Sequence, residues 1–330
     1  MRDSSPILVT GAAGFIGHAV AHRLLERGER VIGVDNLNDY YEVALKEARL
    51  ATFNGRREFT FHRGDIADAP AMAEIVRANG VTRIVHLAAQ AGVRYSLEQP
   101  FAYEHSNLAG HLSLLEASRH MPGFRHLVYA SSSSVYGERP MGGQGFSEDE
   151  RVDKPVSLYA ATKAACELMS QSYNHLFGLP QTGLRFFTVY GPWGRPDMAY
   201  FKFTKKILAG EPIEVYGEGR MARDFTYIDD IVDGVIGALD NPPPPGDHRV
   251  LNIGDSRPVG LMDMIQALEG VLGREAVKIM KPMQPGDVTA TYADVSKLHA
   301  LTGYHPAVML EDGLARFAKW YREFYPEEFS

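Results

Sequence analysis

Short apolar runs that stop at glycine or at a carboxylate alternate, through the first half of the chain, with longer stretches whose apolar positions recur every three or four residues. Runs of the first kind read as buried parallel strands and stretches of the second kind as amphipathic helices. The first strand covers residues 7–10, ends at Gly11, and leads into a helical pattern carrying Val20, Leu24 and Leu25 that stops at Gly28. Further strands are predicted over residues 30–35, 59–66, 83–90, 124–130 and 182–190, with a helix over 101–119 that contains Asn107. From Pro155 to Gly178 there is no glycine or proline, so this Ala- and Leu-rich stretch predicts one long helix.

Beyond residue 190 the pattern becomes mixed: a basic helix over 202–208, a strand over 213–216, and helices over 261–272 and 310–324. The prolines from 242 to 245 form a stiff extended connector. Strands alternating with helices predict an α/β protein with a doubly wound parallel sheet of Rossmann type, and ligands gather at the carboxyl ends of such strands. Residues 1–185 then form a dinucleotide-binding domain, to which the chain returns around 224–254. Residues 186–223 and 255–330 form a smaller mixed C-terminal substrate domain.

Composition narrows the function classes. The chain has 330 residues, 45% of them hydrophobic, and a formal charge of −7, with no basic stripe for nucleic acid. Cys166 is the only cysteine, which excludes an intrachain disulfide and a cysteine-rich zinc site. No apolar run reaches membrane-spanning length, so the expectation is a cytoplasmic protein with no membrane partner.

The candidate chemistry lies at the predicted strand ends. Gly11 permits a tight turn, Gly14 lets backbone approach a pyrophosphate, and Gly17 lets helix pack closely on strand. Asp35 ends the second strand close to the ~20-residue spacing at which an acid takes the adenosine ribose hydroxyls, which favours NAD over NADP. Asp65 ends the third strand as a candidate for the adenine edge, and Leu87, Ala88, Ala89 and Gln90 are residues that could lie beneath a cofactor. Four serines, Ser131 to Ser134, follow the fifth strand. On the long helix, Tyr159 and Lys163 stand four apart and share a face, where the ammonium favours phenolate over phenol.

The glycine string with Phe15 and Ile16, the Tyr159–Lys163 spacing and the Ser-Ser-Val-Tyr-Gly run ending at Gly137 together resemble the extended short-chain dehydrogenase/reductase family that acts on nucleotide sugars. The strings over residues 35–41, 86–96 and 185–198 are similar to the branch that epimerises UDP-glucuronate at C4, although residues 217–222 depart from the usual wording. The resemblance implies NAD as cofactor, a UDP-sugar as substrate and a homodimer. It implies that Asn36, Ile66, Asn107 and Ala130 join the cofactor contacts, and that Lys163 reaches the nicotinamide ribose. Tyr159 would act as base, oriented by Ser132, with Ser133 a further sugar contact. Arg195, aided by Thr188, would clamp the C6 carboxylate. Arg223 would meet the phosphates and Asp287 the uridine ribose. Ser133 and Ser134 stand where related dehydratases keep an acidic pair, which disfavours dehydration.

Several features have plainer readings. His18 and His22 lack the glutamate and third ligand of a zinc site, so no metal is expected. Met262 and Met264 fill core gaps. Asp229, Asp230 and Asp233 fit a solvated helix start. A UDP-glucose 4-epimerase, a UDP-glucuronate decarboxylase and a non-catalytic dinucleotide-sensing or RNA-associated protein remain as alternatives.

Overall fold

A computed structural model describes residues 5–138, 145–283 and 290–329. Asp287 lies outside the described residues. Seven parallel strands form the main sheet: β1 (Ile7–Thr10), β2 (Val31–Asp35), β3 (Phe59–Arg63), β4 (Arg83–His86), β5 (His126–Ser132), β6 (Gln181–Phe186) and, after three strands placed elsewhere, β10 (His248–Ile253). Their order is β10-β6-β5-β4-β1-β2-β3. The winding direction therefore reverses between β1 and β4, and a crevice opens above their carboxyl ends. The sheet is the Rossmann-type α/β layer that the alternation predicts.

Alternation along each strand divides the core. Ile7, Val9, Val31, Val85 and Val128 pack on one face, while Leu8, Ile32, Val34, Ile84 and Leu127 pack on the other. The first cluster continues into the second half of the chain through Phe201, Phe317 and Trp320, so one core carries the sheet and the smaller lobe. Outside the main sheet stand β7 (Thr188–Tyr190), β8 (Ile213–Tyr216), β9 (Ala222–Tyr227), β11 (Pro258–Gly260), β12 (Lys278–Lys281) and β13 (Ala290–Thr291). Strand β9 pairs with β7, β11 and β13, and β8 pairs with β12.

The strands expected over 59–66 and 83–90 stop at Arg63 and His86, so Asp65 lies in the turn beyond β3, and four further elements differ from the sequence expectation. The run over 182–190 is two strands, because the chain leaves the main sheet at Phe187 and β7 joins β9 instead. The helix over 101–119 is three pieces: Pro100–Tyr103, a wider π-helical stretch Glu104–Ala109, and Gly110–Arg119. Its irregular part presents Asn107 to the loop after β4. The fifth strand starts at His126 and runs on through Ser131 and Ser132. The acids at the start of helix Ile228–Asp240 are paired, not merely solvated: buried Asp230 accepts from the amides of Ala307 and Val308, and Asp233 pairs with Arg23. The remaining predicted helices include Leu261–Leu272 and Leu310–Phe324.

Candidate active site

One cleft of about 1330 Å³, open mouth included, lies over the crevice between β1 and β4. Its wall combines Gly11, Gly14, Phe15, Ile16, Gly17, Asp35, Asn36, Ile66, Leu87, Ala88, Ala89, Gln90, Ala130, Ser132, Tyr159, Lys163 and Arg195. These residues, drawn from those that the sequence assigned to cofactor, base and carboxylate clamp, line one space.

The glycine turn is shaped for a close backbone approach. Gly11 has φ 72°, and a Cβ there would stand 2.8 Å from the Ala88 nitrogen. A Cβ on Gly17 would stand 2.0 Å from the Gly11 carbonyl oxygen. The helix Phe15–Glu26 that follows has no side-chain cap and no acid in its first turn. Its leading N–H groups and dipole suit an anion such as a pyrophosphate. Asp35 is fixed at the end of β2 by the amides of Ala13 (3.1 Å) and Leu37 (2.9 Å). Among cleft residues missed from sequence, Lys46 donates to the Asn38 carbonyl (2.6 Å) and side chain (2.7 Å). Burial lowers its hold on the proton, which Asp35 partly restores. The residues present therefore fit NAD.

The long helix runs Leu158–Phe177 between an Ser157 cap, whose hydroxyl accepts from Ala160, and Gly178. Lys163 is buried and donates to the Ala130 carbonyl at 2.8 Å, fixing its ammonium at the end of β5. The Tyr159 ring meets the Tyr103 ring edge-on at 6.0 Å. Tyr103 in turn donates to the carbonyls of Ala91 and Gly92. Ser132 accepts from the Ser134 amide (3.2 Å) and hydroxyl (2.8 Å), so the outer serine orients the inner one.

Arg195 faces the cleft while gripping Asp197 through Nε (2.9 Å) and Nη2 (2.5 Å). Tyr40 also donates to Asp197, at 3.2 Å. Burial would raise the Asp197 carboxyl, but the guanidinium holds it below the usual carboxylate range. Tyr40 and Tyr41 lie within the string at 35–41, yet spacing alone gave neither a role.

Among the described residues, five assigned ones are not on the cleft wall. Asp65 caps the turn at Ala67 (2.9 Å) and meets Asn36 and His105. Asn107 is buried, accepting from the Gln90 amide (2.8 Å) and donating to its carbonyl (3.1 Å) and to Thr162 (3.0 Å). It braces the floor of the cleft. Ser133 starts a short 3₁₀ turn and Thr188 opens β7. Arg223 stands on β9, donating to the Ala222 carbonyl at 2.8 Å. Among the described residues no cluster of His, Cys, Asp or Glu could hold a metal ion. His18 is buried against Phe53 and Trp193 and hydrogen-bonds Thr52.

Comparison with known proteins agrees with this geometry. Residues 7–254 match the NAD dependent epimerase/dehydratase family. The probable UDP-glucuronate 4-epimerase of Rhizobium meliloti is 46% identical over 335 residues, covering 96% of this chain and 97% of that relative. The UDP-glucuronic acid 4-epimerase from Bacillus cereus, solved with UDP-glucuronic acid and NAD, is 35% identical with a TM-score of 0.90, covering 97% of this chain and all of that one (100%). The UDP-glucose 4-epimerase from Thermotoga maritima, solved with UDP-glucose, is 31% identical with a TM-score of 0.86, over 97% and 99% of the two chains. With glycine turn, Asp35, Tyr159 and Lys163 on one wall, the chain belongs to the NAD dependent epimerase/dehydratase family, as an NAD-dependent nucleotide-sugar 4-epimerase.

Proposed function

We propose that the protein converts UDP-glucuronate to UDP-galacturonate by inverting C4 through a transient 4-keto sugar, without decarboxylation. The observation that carries this reading is the presence of Arg195 on the same cleft wall as Tyr159, Lys163 and Ser132. Tyr159 as phenolate takes the proton from the 4-hydroxyl and becomes the phenol, and the Lys163 charge favours the phenolate form that starts the step. Ser132, oriented by Ser134, hydrogen-bonds the same sugar oxygen. When bound, NAD supplies the two-electron acceptor that is restored within each turnover. A 4-keto uronate is a β-keto acid that loses CO2 once its C5–C6 bond aligns with the carbonyl π system. The guanidinium of Arg195 holds the carboxylate plane out of that alignment. Thr188, Ser133, Arg223 and Asp287 complete the proposed sugar and nucleotide contacts, and Asp65 and Asn107 the cofactor set.

The same proposal assigns residues 1–185 and 224–254 to the cofactor end, and 186–223 and 255–330 to the UDP-sugar end. It includes a cytoplasmic homodimer. The dimer is supported by exposed apolar side chains: Leu97 and Phe101 on two short helices, Tyr95–Glu98 and Pro100–Tyr103, and Leu168 and Leu176 on the long helix Leu158–Phe177. Among the described residues no helix is long and apolar enough to cross a membrane.

The deciding experiment incubates the protein with UDP-glucuronate and resolves the products by mass and chromatography. UDP-galacturonate is the expected product. A UDP-pentose as the main product would make the protein a decarboxylase. Turnover of UDP-glucose with UDP-glucuronate untouched would make it a UDP-glucose 4-epimerase.

A further inference from the structure

Arg49 is wholly buried, at 0% exposure, although the steps above give it no part. All five of its N–H donors are used. Nε donates to the Trp193 carbonyl (3.2 Å), and Nη2 to the same oxygen (2.7 Å) and to the Gly194 carbonyl (3.1 Å). Nη1 donates to the Ala13 carbonyl (2.9 Å) and the Tyr41 hydroxyl (2.7 Å). Every acceptor is neutral, and no carboxylate lies within ion-pair distance among the described residues. A buried cation without a counter-ion is costly, even when fully hydrogen-bonded.

The segments it joins belong to different halves of the site. Ala13 lies within the glycine turn, its amide held by Asp35 at 3.1 Å. Trp193 has φ 62°, a left-handed backbone that a bulky side chain rarely adopts. Gly194 has no room for a side chain, since a Cβ would fall 1.8 Å from the Tyr200 hydroxyl oxygen. Strained backbone of this kind persists only where its surroundings over-determine it. Two of the five Arg49 bonds go to the Trp193 carbonyl, and the chain then turns directly into Arg195. A second cation lies close by: the Lys46 ammonium stands 4.6 Å from the centre of the Tyr41 ring, and the Arg49 guanidinium 5.5 Å from it.

We propose that Arg49 is a positioning residue that couples the cofactor's diphosphate, bound at the glycine turn, to the placement of Arg195 at the sugar end. A diphosphate on the turn supplies the counter-charge that the protein withholds. That stiffens the Ala13–Arg49–Trp193 bridge and fixes the loop from which Arg195 reaches substrate. The sugar carboxylate is then gripped in one orientation only when cofactor is in place. The substrate side of this inference rests on the function proposed above.

The test is amide hydrogen exchange with ADP as probe, which carries the adenosine and diphosphate but no nicotinamide. In the unaltered protein stripped of NAD, ADP should protect the amides of Trp193, Gly194 and Arg195. In Arg49→Lys, which keeps the charge but not five donors, that protection should be lost and NAD should bind roughly tenfold more weakly or worse. With UDP-glucuronate, Arg49→Lys should also release a larger share of UDP-pentose. No protection in the unaltered protein overturns the coupling, as does equal protection in Arg49→Lys. Should the variant not fold, the experiment on the unaltered protein still decides against the idea if those amides ignore ADP. Failure of the protein to act on UDP-glucuronate would defeat the proposed substrate and leave the ADP result to judge the coupling alone.

Discussion

Replacing Glu167 by glutamine removes one charge from beneath the catalytic pair while keeping the side chain's shape. Glu167 stands one helical turn beyond Lys163 and two beyond Tyr159, so all three share a face. Its carboxylate takes Arg185 through Nε (2.9 Å) and Nη2 (2.8 Å) and the Ser131 hydroxyl at 2.5 Å. The two side chains are 5% and 9% exposed, Arg185 first, so water cannot replace the lost partner. Among the described residues, one Arg185 nitrogen, Nη1, already finds no hydrogen-bond partner. Burial alone would weaken Arg185's hold on its proton, and Glu167 more than reverses this. An uncompensated buried guanidinium places the expected loss at about 3–5 kcal/mol. Urea unfolding of Glu167→Gln should show that loss, and turnover should fall because the helix bearing Tyr159 is no longer pinned to β5 and β6. The double variant Glu167→Met/Arg185→Met, which buries no charge, should recover most of the stability. A single-variant loss below ~1 kcal/mol, the range of an exposed pair, would refute the reasoning.

Tyr159→Phe should keep NAD bound and lower kcat by roughly 10²–10⁴-fold, the usual contribution of a positioned base; unchanged turnover would remove Tyr159 from that role. Stability should fall as the solution is acidified. Burial holds His18 and His111 down to about 3, and His126 and His248 to about 4, against an ordinary 6.5. The unfolded chain therefore takes up protons that the folded one refuses. Their stabilisation is complete above about pH 6.5 and fades toward pH 3–4, by up to about 1.4 kcal/mol per pH unit for each group. A Tm that stays level from pH 7 to pH 5 would contradict this. Leu168→Glu, which places a charge on a side chain 72% exposed on the proposed dimer face, should convert dimer to monomer in sedimentation analysis; an unchanged mass would move the interface elsewhere.

The parts of the site that could be read from sequence are those where one short segment does one job. Gly11, Gly14 and Gly17 announce a turn because their lack of side chains is itself the function. Asp35 announces itself by ending a strand at the right distance, and Tyr159 and Lys163 by helical spacing. What could not be read depends on segments distant in sequence meeting in space. The break at Phe187 falls inside a run that no glycine or proline interrupts between Gly183 and Gly191, and only pairing with β9 ends one strand and starts another. Lys46 looks like an ordinary helix lysine until Asn38 and Asp35 close around it. Asn107 carries no sign in the sequence that its side-chain amide serves the backbone of Gln90, where the π-helical stretch turns it.

The place of β10 at the outer edge of the main sheet has a consequence for how such a chain can be assembled and altered. Its partner β6 ends at Phe186, but the strand itself is made only after β7, β8 and β9 have left the ribosome. Until then β6 presents an open row of backbone donors and acceptors, a template for mispairing between nascent chains. A gene cut after residue 185 would thus yield a sticky fragment, not a portable cofactor module. New sugar preferences in this scaffold have to arise by rewriting loops in place, because swapping one end for another would unzip the sheet.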